Sequence, residues 1–283
     1  LQMLTELLDD SRNDIYILID AKSSISKISF KTKYSKLTYV SSIKIYWGDY
    51  SQIQAELNLL RAATENGDYA FYHLLSGLDL PLANQDVIHD FFDDKIGYNF
   101  FTYSSMTPLS SLNKRLYHYH FRKHFRNYNL LFRAYRRMES LGFKLNKQTE
   151  LNENKIGYAS NWFSISNELA NAVVTHETWI YNKFKNGFLV DELFIPSLMN
   201  TLNTNFPVYY TKPVHNKPDE FQGNMRYIKW WGEKPLPHVW TINDFEELED
   251  ARRMGHLFSR KFDISIDKKI IKKVINELIQ DNK

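Results

Sequence analysis

Apolar positions along the chain fall into two patterns, short continuous runs and residues at helical spacing, and their order outlines the architecture. Leu1, Leu4, Leu7 and Leu8 recur at helical spacing, and the polar residues 9–14 then read as a turn. Ile15-Tyr16-Ile17-Leu18-Ile19 is too short for a helix and suits an interior parallel strand. A second strand is predicted at 37–40 or at 43–46. From Ser51, its expected N-cap, the positions Ile53, Leu57 and Leu60 predict a helix. A third strand is predicted over 69–75, broken at Ser76-Gly77-Leu78-Asp79-Leu80-Pro81-Leu82, where Gly77 permits an unusual turn and Pro81 stops the ladder.

Further along, 156–166 reads as a loop entering a strand, and Asn167 is expected to cap a helix over 168–176. Strands are predicted at 206–210 and near Met225-Arg226-Tyr227-Ile228-Lys229-Trp230-Trp231, with a capped acidic helix from Asn243. The chain closes on a segment at 257–263 and a basic amphipathic helix over 267–279. Strand, turn and helix alternate, which predicts an α/β fold: a Rossmann-type layered domain with a mixed, mostly parallel central sheet. There is no GxGxxG or GxxxxGK[ST] loop, which disfavours a classical dinucleotide or P-loop site.

Composition narrows the class. The 283 residues are 43% hydrophobic and 15% aromatic, enough to bury one large core or two small ones. With 36 basic against 33 acidic residues, total charge does not announce a nucleic-acid partner, and none is expected. Cysteine is absent, which removes disulfide scaffolds and thiolate metal sites and fits a reducing compartment. No apolar run is long enough for a membrane span, and the first residues are too acidic for a signal peptide.

Three features carry candidate chemistry. Asp20-Ala21-Lys22 follows the first strand, at the carboxyl end where open α/β sheets place ligands. Asp191 and Glu192 stand between apolar neighbours, where desolvation or a nearby cation can tune a carboxylate to take a proton; they also fit the acidic first turn of a helix. Residues 113–137 interleave Lys and Arg with Tyr, Phe and His. That is a surface for phosphate and sugar, or else a helix pair with one solvated side. His120 and His124 within it are four apart, but no third ligand matches them, so no metal is expected.

Taken together, six stretches resemble the Core-2/I-branching family of glycosyltransferases, which includes β-1,6-N-acetylglucosaminyltransferases and peptide xylosyltransferases. They are the 15–23 strand and Asp-x-Lys-Ser turn, Trp47-Gly48 with the 51–60 helix, 75–82, Ala159-Ser160-Asn161-Trp162-Phe163, Asp191-Glu192-Leu193-Phe194, and 257–263. The resemblance implies a single GT-A-like domain over 1–283, with a nucleotide-binding part up to about residue 110 and an acceptor-side part beyond it. It implies a UDP-sugar donor, N-acetylglucosamine by default with glucose, galactose and galactofuranose open, and inversion at the anomeric carbon with no metal cofactor. By position, Glu192 would be the general base. Asp20, Lys22 and Trp47 would meet the nucleotide, Lys261 and Arg260 the diphosphate, and Asp79, Trp162 and Trp230 would shape the sugar and acceptor pocket.

The chain departs from the family's pattern in three places. An upstream Arg that animal members pair with the Lys of the last motif has no counterpart in Pro237-His238-Val239-Trp240-Thr241, and Arg260 is expected to supply that charge. Neither a membrane anchor nor cysteine is found, so the chain is expected to be a bacterial, cytoplasmic member, peripheral at the inner face of the membrane. Leu1 already reads as helix, so the family's first strand is expected to precede the sequence. The acceptor expected is a glycan, lipid-linked on a route to cell-surface polysaccharide, because the lysines of the last helix favour anionic lipid. Two alternatives stand beside this reading. One is a non-catalytic carbohydrate- or polyanion-binding protein using 113–137; the other is a glycoside hydrolase, which needs two opposed carboxyl groups.

Overall fold

A computed structural model describes residues 1–24, 30–117, 151–202 and 204–280, and within 118–150 only Leu130, Arg133, Ala134 and Arg137. His120, His124 and most of the basic-aromatic stretch beyond Tyr117 therefore lie outside the described residues. The chain opens with helix α1 (Gln2–Leu7), then strand β1 (Asp14–Leu18), which pairs in parallel with β2 (Lys36–Val40). Helix α2 (Ser51–Asn66) buries Ile53, Leu57 and Leu60 as their spacing predicts. Ser51 is its first residue and not its cap: the Ser51 hydroxyl accepts from Tyr46 N (2.9 Å), which closes the turn that presents Trp47.

Strand β3 (Phe71–His73) runs antiparallel to β5 (Ser164–Ser166). The third sheet places β7 (Phe258–Arg260) between β4 (Asp79–Pro81), antiparallel, and β6 (Arg226–Ile228), parallel. Pro81 does not stop the ladder as expected: it pairs with Phe258 on the edge strand β4, a place that tolerates its missing N–H. Mixed α/β composition holds, but the described strands group into three small sheets instead of one continuous, mostly parallel layer. Residues 206–210 form no strand; only Val208 bridges, in parallel with Asn99.

The remaining helices are α3 (Gln85–Asp93), α4 (Leu109–Tyr117), α5 (Asn167–Thr175), α6 (Glu177–Phe184), α7 (Phe194–Thr201), α8 (Phe245–Arg253) and α9 (Lys268–Lys273). Ser166, one residue before the expected Asn167, caps α5 by accepting from Leu169 N (3.3 Å). Asp267 caps α9, accepting from Lys269 N and Ile270 N, and the helix continues as a π-turn over Val274–Ile279.

Three apolar clusters form the core. The largest packs α2, α5, α6 and α7 around Leu57, Ile165, Leu169 and Phe184; a second lies between the third sheet and the C-terminal helices around Trp240 and Leu248. The third is rich in phenylalanine, with Phe92 and Phe100 centroids 4.9 Å apart. Among the described residues no helix is long and apolar enough to cross a membrane.

Candidate active site

The loop 187–193 enters α7 under tight backbone control. Leu189 holds a left-handed φ of 52°, a conformation that a branched side chain occupies only when its surroundings enforce it. Here the enforcement comes from two directions. Leu189 N donates to Gly48 O (3.0 Å), and Arg115 Nη1 on α4 donates to Leu189 O (3.3 Å). Gly48 itself has a φ of 71°, and an added Cβ would strike the Phe188 ring at 2.5 Å. The Trp47 turn and the acidic loop are therefore fitted to each other, with Trp47 edge-on to Phe188 at 5.7 Å.

Glu192 and Asp191 follow this strained residue and take different environments. Glu192 Oε2 accepts from Arg115 Nη1 at 2.6 Å in a half-buried ion pair. Asp191 turns inward: Oδ2 accepts from Gln52 Nε2 (3.2 Å), while Oδ1 is buried without a hydrogen-bond partner. Burial, and then repulsion from Glu192, push the Asp191 carboxyl up to about 6. Both acids precede the first turn of α7, which opens at Phe194. Gly157 seats that helix, because a Cβ there would lie 2.5 Å from the Pro196 carbonyl carbon.

A second group is organised by the third sheet. Asp79 and Arg260 are cross-strand partners, with Oδ1 and Nε 3.5 Å apart, and the Arg260 guanidinium lies 3.9 Å over the Trp162 ring. Asp79 is also held by Ser76 N (2.9 Å) and Ser76 Oγ (3.0 Å). Burial pushes Asp79 up and Arg260 down, and each charge partly offsets the other's cost. Arg260 Nη1 is buried with no hydrogen-bond partner. Lys261 leaves the end of β7 and faces the Asp263 carboxyl. Trp230 leaves the end of the parallel neighbour β6, whose Ile228 is in register with Arg260, so both reach the same edge of the sheet.

The segment 159–163 joins the two groups. Ala159 N donates to Glu192 O (3.1 Å), Asn161 bonds the Glu56 carboxylate, and Trp162 lies under Arg260. Asp20 and Lys22 form their own turn after β1. The Asp20 carboxylate accepts from Lys22 N (2.9 Å) and Ile45 N (3.3 Å), and these bonds outweigh burial and hold it below the usual range. Lys22 Nζ lies 4.5 Å over the ring of Tyr46, next in the chain to Trp47, so this turn reaches the acidic loop through the Trp47 turn.

Some participants were not singled out from sequence. Arg115 is only one of many cations in the basic-aromatic stretch. Glu56 had a sign: it occupies the apolar stripe Ile53, Leu57, Leu60, where a charge is out of place. Arg226 sits inside a strand, fully buried, and donates to Ser164 Oγ (3.1 Å) and to the Leu74 (3.2 Å) and Phe163 (2.7 Å) carbonyls. It thereby ties the third sheet to the second.

No curated protein shows a significant match to the chain. The Core-2/I-Branching enzyme family profile matches residues 1–254, which includes the acidic loop and Trp162 and stops short of Arg260 and Lys261. With most of its length matched, the chain belongs to the Core-2/I-Branching enzyme family and is a glycosyltransferase by that membership.

Proposed function

We propose that the chain transfers a sugar from a UDP-sugar to a hydroxyl of a glycan acceptor with inversion and without a metal. In this reading Glu192 takes the acceptor proton on Oε1, Oε2 being engaged by Arg115. The freed oxygen pair forms the new bond to C1 of the donor as the C1–oxygen bond to phosphate breaks, and UDP leaves with the electrons of the broken bond. Negative charge then develops on the diphosphate. Lys261 and Arg260 meet it with fixed positive charge, work that a bound metal performs in other GT-A enzymes. Arg260 is packed between Asp79 and Trp162. Trp47, 70% exposed, offers a flat face to the uracil, and Asp20 and Lys22 stand at the nucleotide end. Trp230 and Trp162 flank the sugar and acceptor.

The observation that carries this reading is the segment 159–163, which binds the Glu192 backbone at one end and underlies Arg260 at the other. Base and cation are thus set in one continuous framework. A lipid-linked acceptor is supported by Lys268, Lys269 and Lys272 on α9 beside exposed Ile264 and Ile266, an arrangement suited to the surface of an anionic membrane.

The test is transfer or hydrolysis across a panel of UDP-sugars in excess chelator. The expected result is turnover of one donor at the chelator-free rate. Strict dependence on manganese would overturn the metal-free mechanism, and inertness toward every UDP-sugar would overturn the donor class.

A further inference from the structure

Glu56 is buried on α2 one helical turn after Gln52, so both project from the same face toward Asp191. Gln52 is already committed, accepting from Gly48 N and donating to Asp191 Oδ2. Asn161 bonds the Glu56 carboxylate, but Glu56 Oε2 and Asp191 Oδ1 are both sealed from solvent with no side-chain donor. The charged groups facing Asp191 are Glu56 from α2, Glu192 beside it in the chain, and Arg115 from α4, which is engaged with Glu192. Two buried carboxylates that face each other without a cation of their own are costly to ionise together, and a proton on one of them removes a charge and supplies a donor.

We propose that Glu56 is a positioning residue for transfer, a carboxylic acid that shares its proton with Asp191 and so locks the Asp191-Glu192 turn against α2. Burial, and then the Asp191 charge, push Glu56 far above the ordinary carboxyl range, in keeping with a neutral acid. The lock acts on Glu192 from two sides, because the segment that donates to the Glu192 carbonyl from Ala159 also bonds Glu56 through Asn161. Removing the Glu56 carboxyl frees the Asp191 turn and lets the base drift; a misplacement of about 1 Å costs on the order of a hundredfold in rate.

The role rests on the transferase reading, and the test separates the two. Infrared spectra of the whole chain at neutral pH are expected to show the carbonyl stretch of a protonated carboxyl that Glu56→Gln removes; a spectrum unchanged by Glu56→Gln overturns the shared proton, with or without turnover. Glu56→Ala is expected to lower kcat about tenfold to a hundredfold with KM for the UDP-sugar nearly constant. Glu56→Gln, whose amide can donate to Asp191, is expected to restore most of that loss. Wild-type kcat in Glu56→Ala, or no recovery in Glu56→Gln, overturns the positioning role. If Glu56→Ala does not fold, the infrared comparison with Glu56→Gln decides. A wild-type chain inert toward every UDP-sugar sinks the transferase reading while the infrared result still decides the proton.

Discussion

Asp191 and Glu192 are adjacent in sequence, yet one residue carries a solvent-reachable ion pair and the other a buried, partly unsatisfied carboxyl. The left-handed Leu189 and the Arg115 fork produce that division by fixing the backbone just before the pair. A raised carboxyl pKa has a defined consequence for stability. Its contribution is fully present below the ordinary value of 3.8 and is lost as pH rises through about 6, since the folded state holds the proton more tightly than the unfolded chain. The unfolding free energy is therefore expected to fall by on the order of a few kcal/mol between those limits. Asp191→Asn should flatten that fall, as read by denaturant melts at a series of pH values. A wild-type slope retained in Asp191→Asn would contradict the assignment. The acid pair itself was legible from its apolar neighbours; which acid faces the acceptor was not, because that depends on Arg115, 77 residues from Glu192.

Among the elements, the approach to α8 shows how capping and sheet architecture meet. Thr241 and Asp244 form a capping box over the 3-10 turn Ile242–Asp244, and Asp244 also accepts from His238 Nε2 (3.0 Å). These bonds outweigh burial and bring the Asp244 carboxyl down to about 2. Its contribution is present above 3.8 and is lost as pH falls through about 2, opposite in sign to that of Asp191. Asp244→Ala is expected to cost about 1–2 kcal/mol at neutral pH, measured as a shift in urea midpoint. An unchanged midpoint would show the box to be ornamental. The acidic helix start was readable because Asn243-Asp244-Phe245-Glu246-Glu247 has the polarity of a first turn. The strand expected at 206–210 fails for a converse reason: its apolar residues pack as a loop against Phe91 and Phe100 through Tyr209, with centroids 5.7 and 5.0 Å away, and alternation alone does not distinguish that from a ladder.

Across the whole molecule, Arg226 is the residue that joins the second sheet to the third. Burial pushes its guanidinium down to about 9, offset in part by Asp79, and it satisfies a hydroxyl and three carbonyls, including that of Asn224. Arg226→Met leaves those acceptors unpaired and removes one of the two cations that face Asp79. The expected cost is about 3–5 kcal/mol, visible as a large drop in thermal midpoint. A change within error would mean that the sheets are held by the apolar clusters alone. The sequence pattern conveyed β1 as a short continuous apolar run and α2 as apolar residues at helical spacing. It did not convey the division into separate sheets, since register and partner choice depend on contacts such as Asp79 with Arg260 that are far apart in the chain. The framework of the site was legible in part: segment 159–163 stood out as a motif, but its contacts with Glu192, Glu56 and Arg260 are tertiary.

In the proposed reaction Glu192 removes the acceptor proton while Arg260 and Lys261, at the end of β7, hold the nucleotide. Glu192→Gln tests it most directly, with transfer and UDP affinity measured on the same preparation. Transfer is expected to fall by about a hundredfold or more while the Kd for UDP stays within about twofold of wild type. Transfer at the wild-type rate in Glu192→Gln would contradict the account.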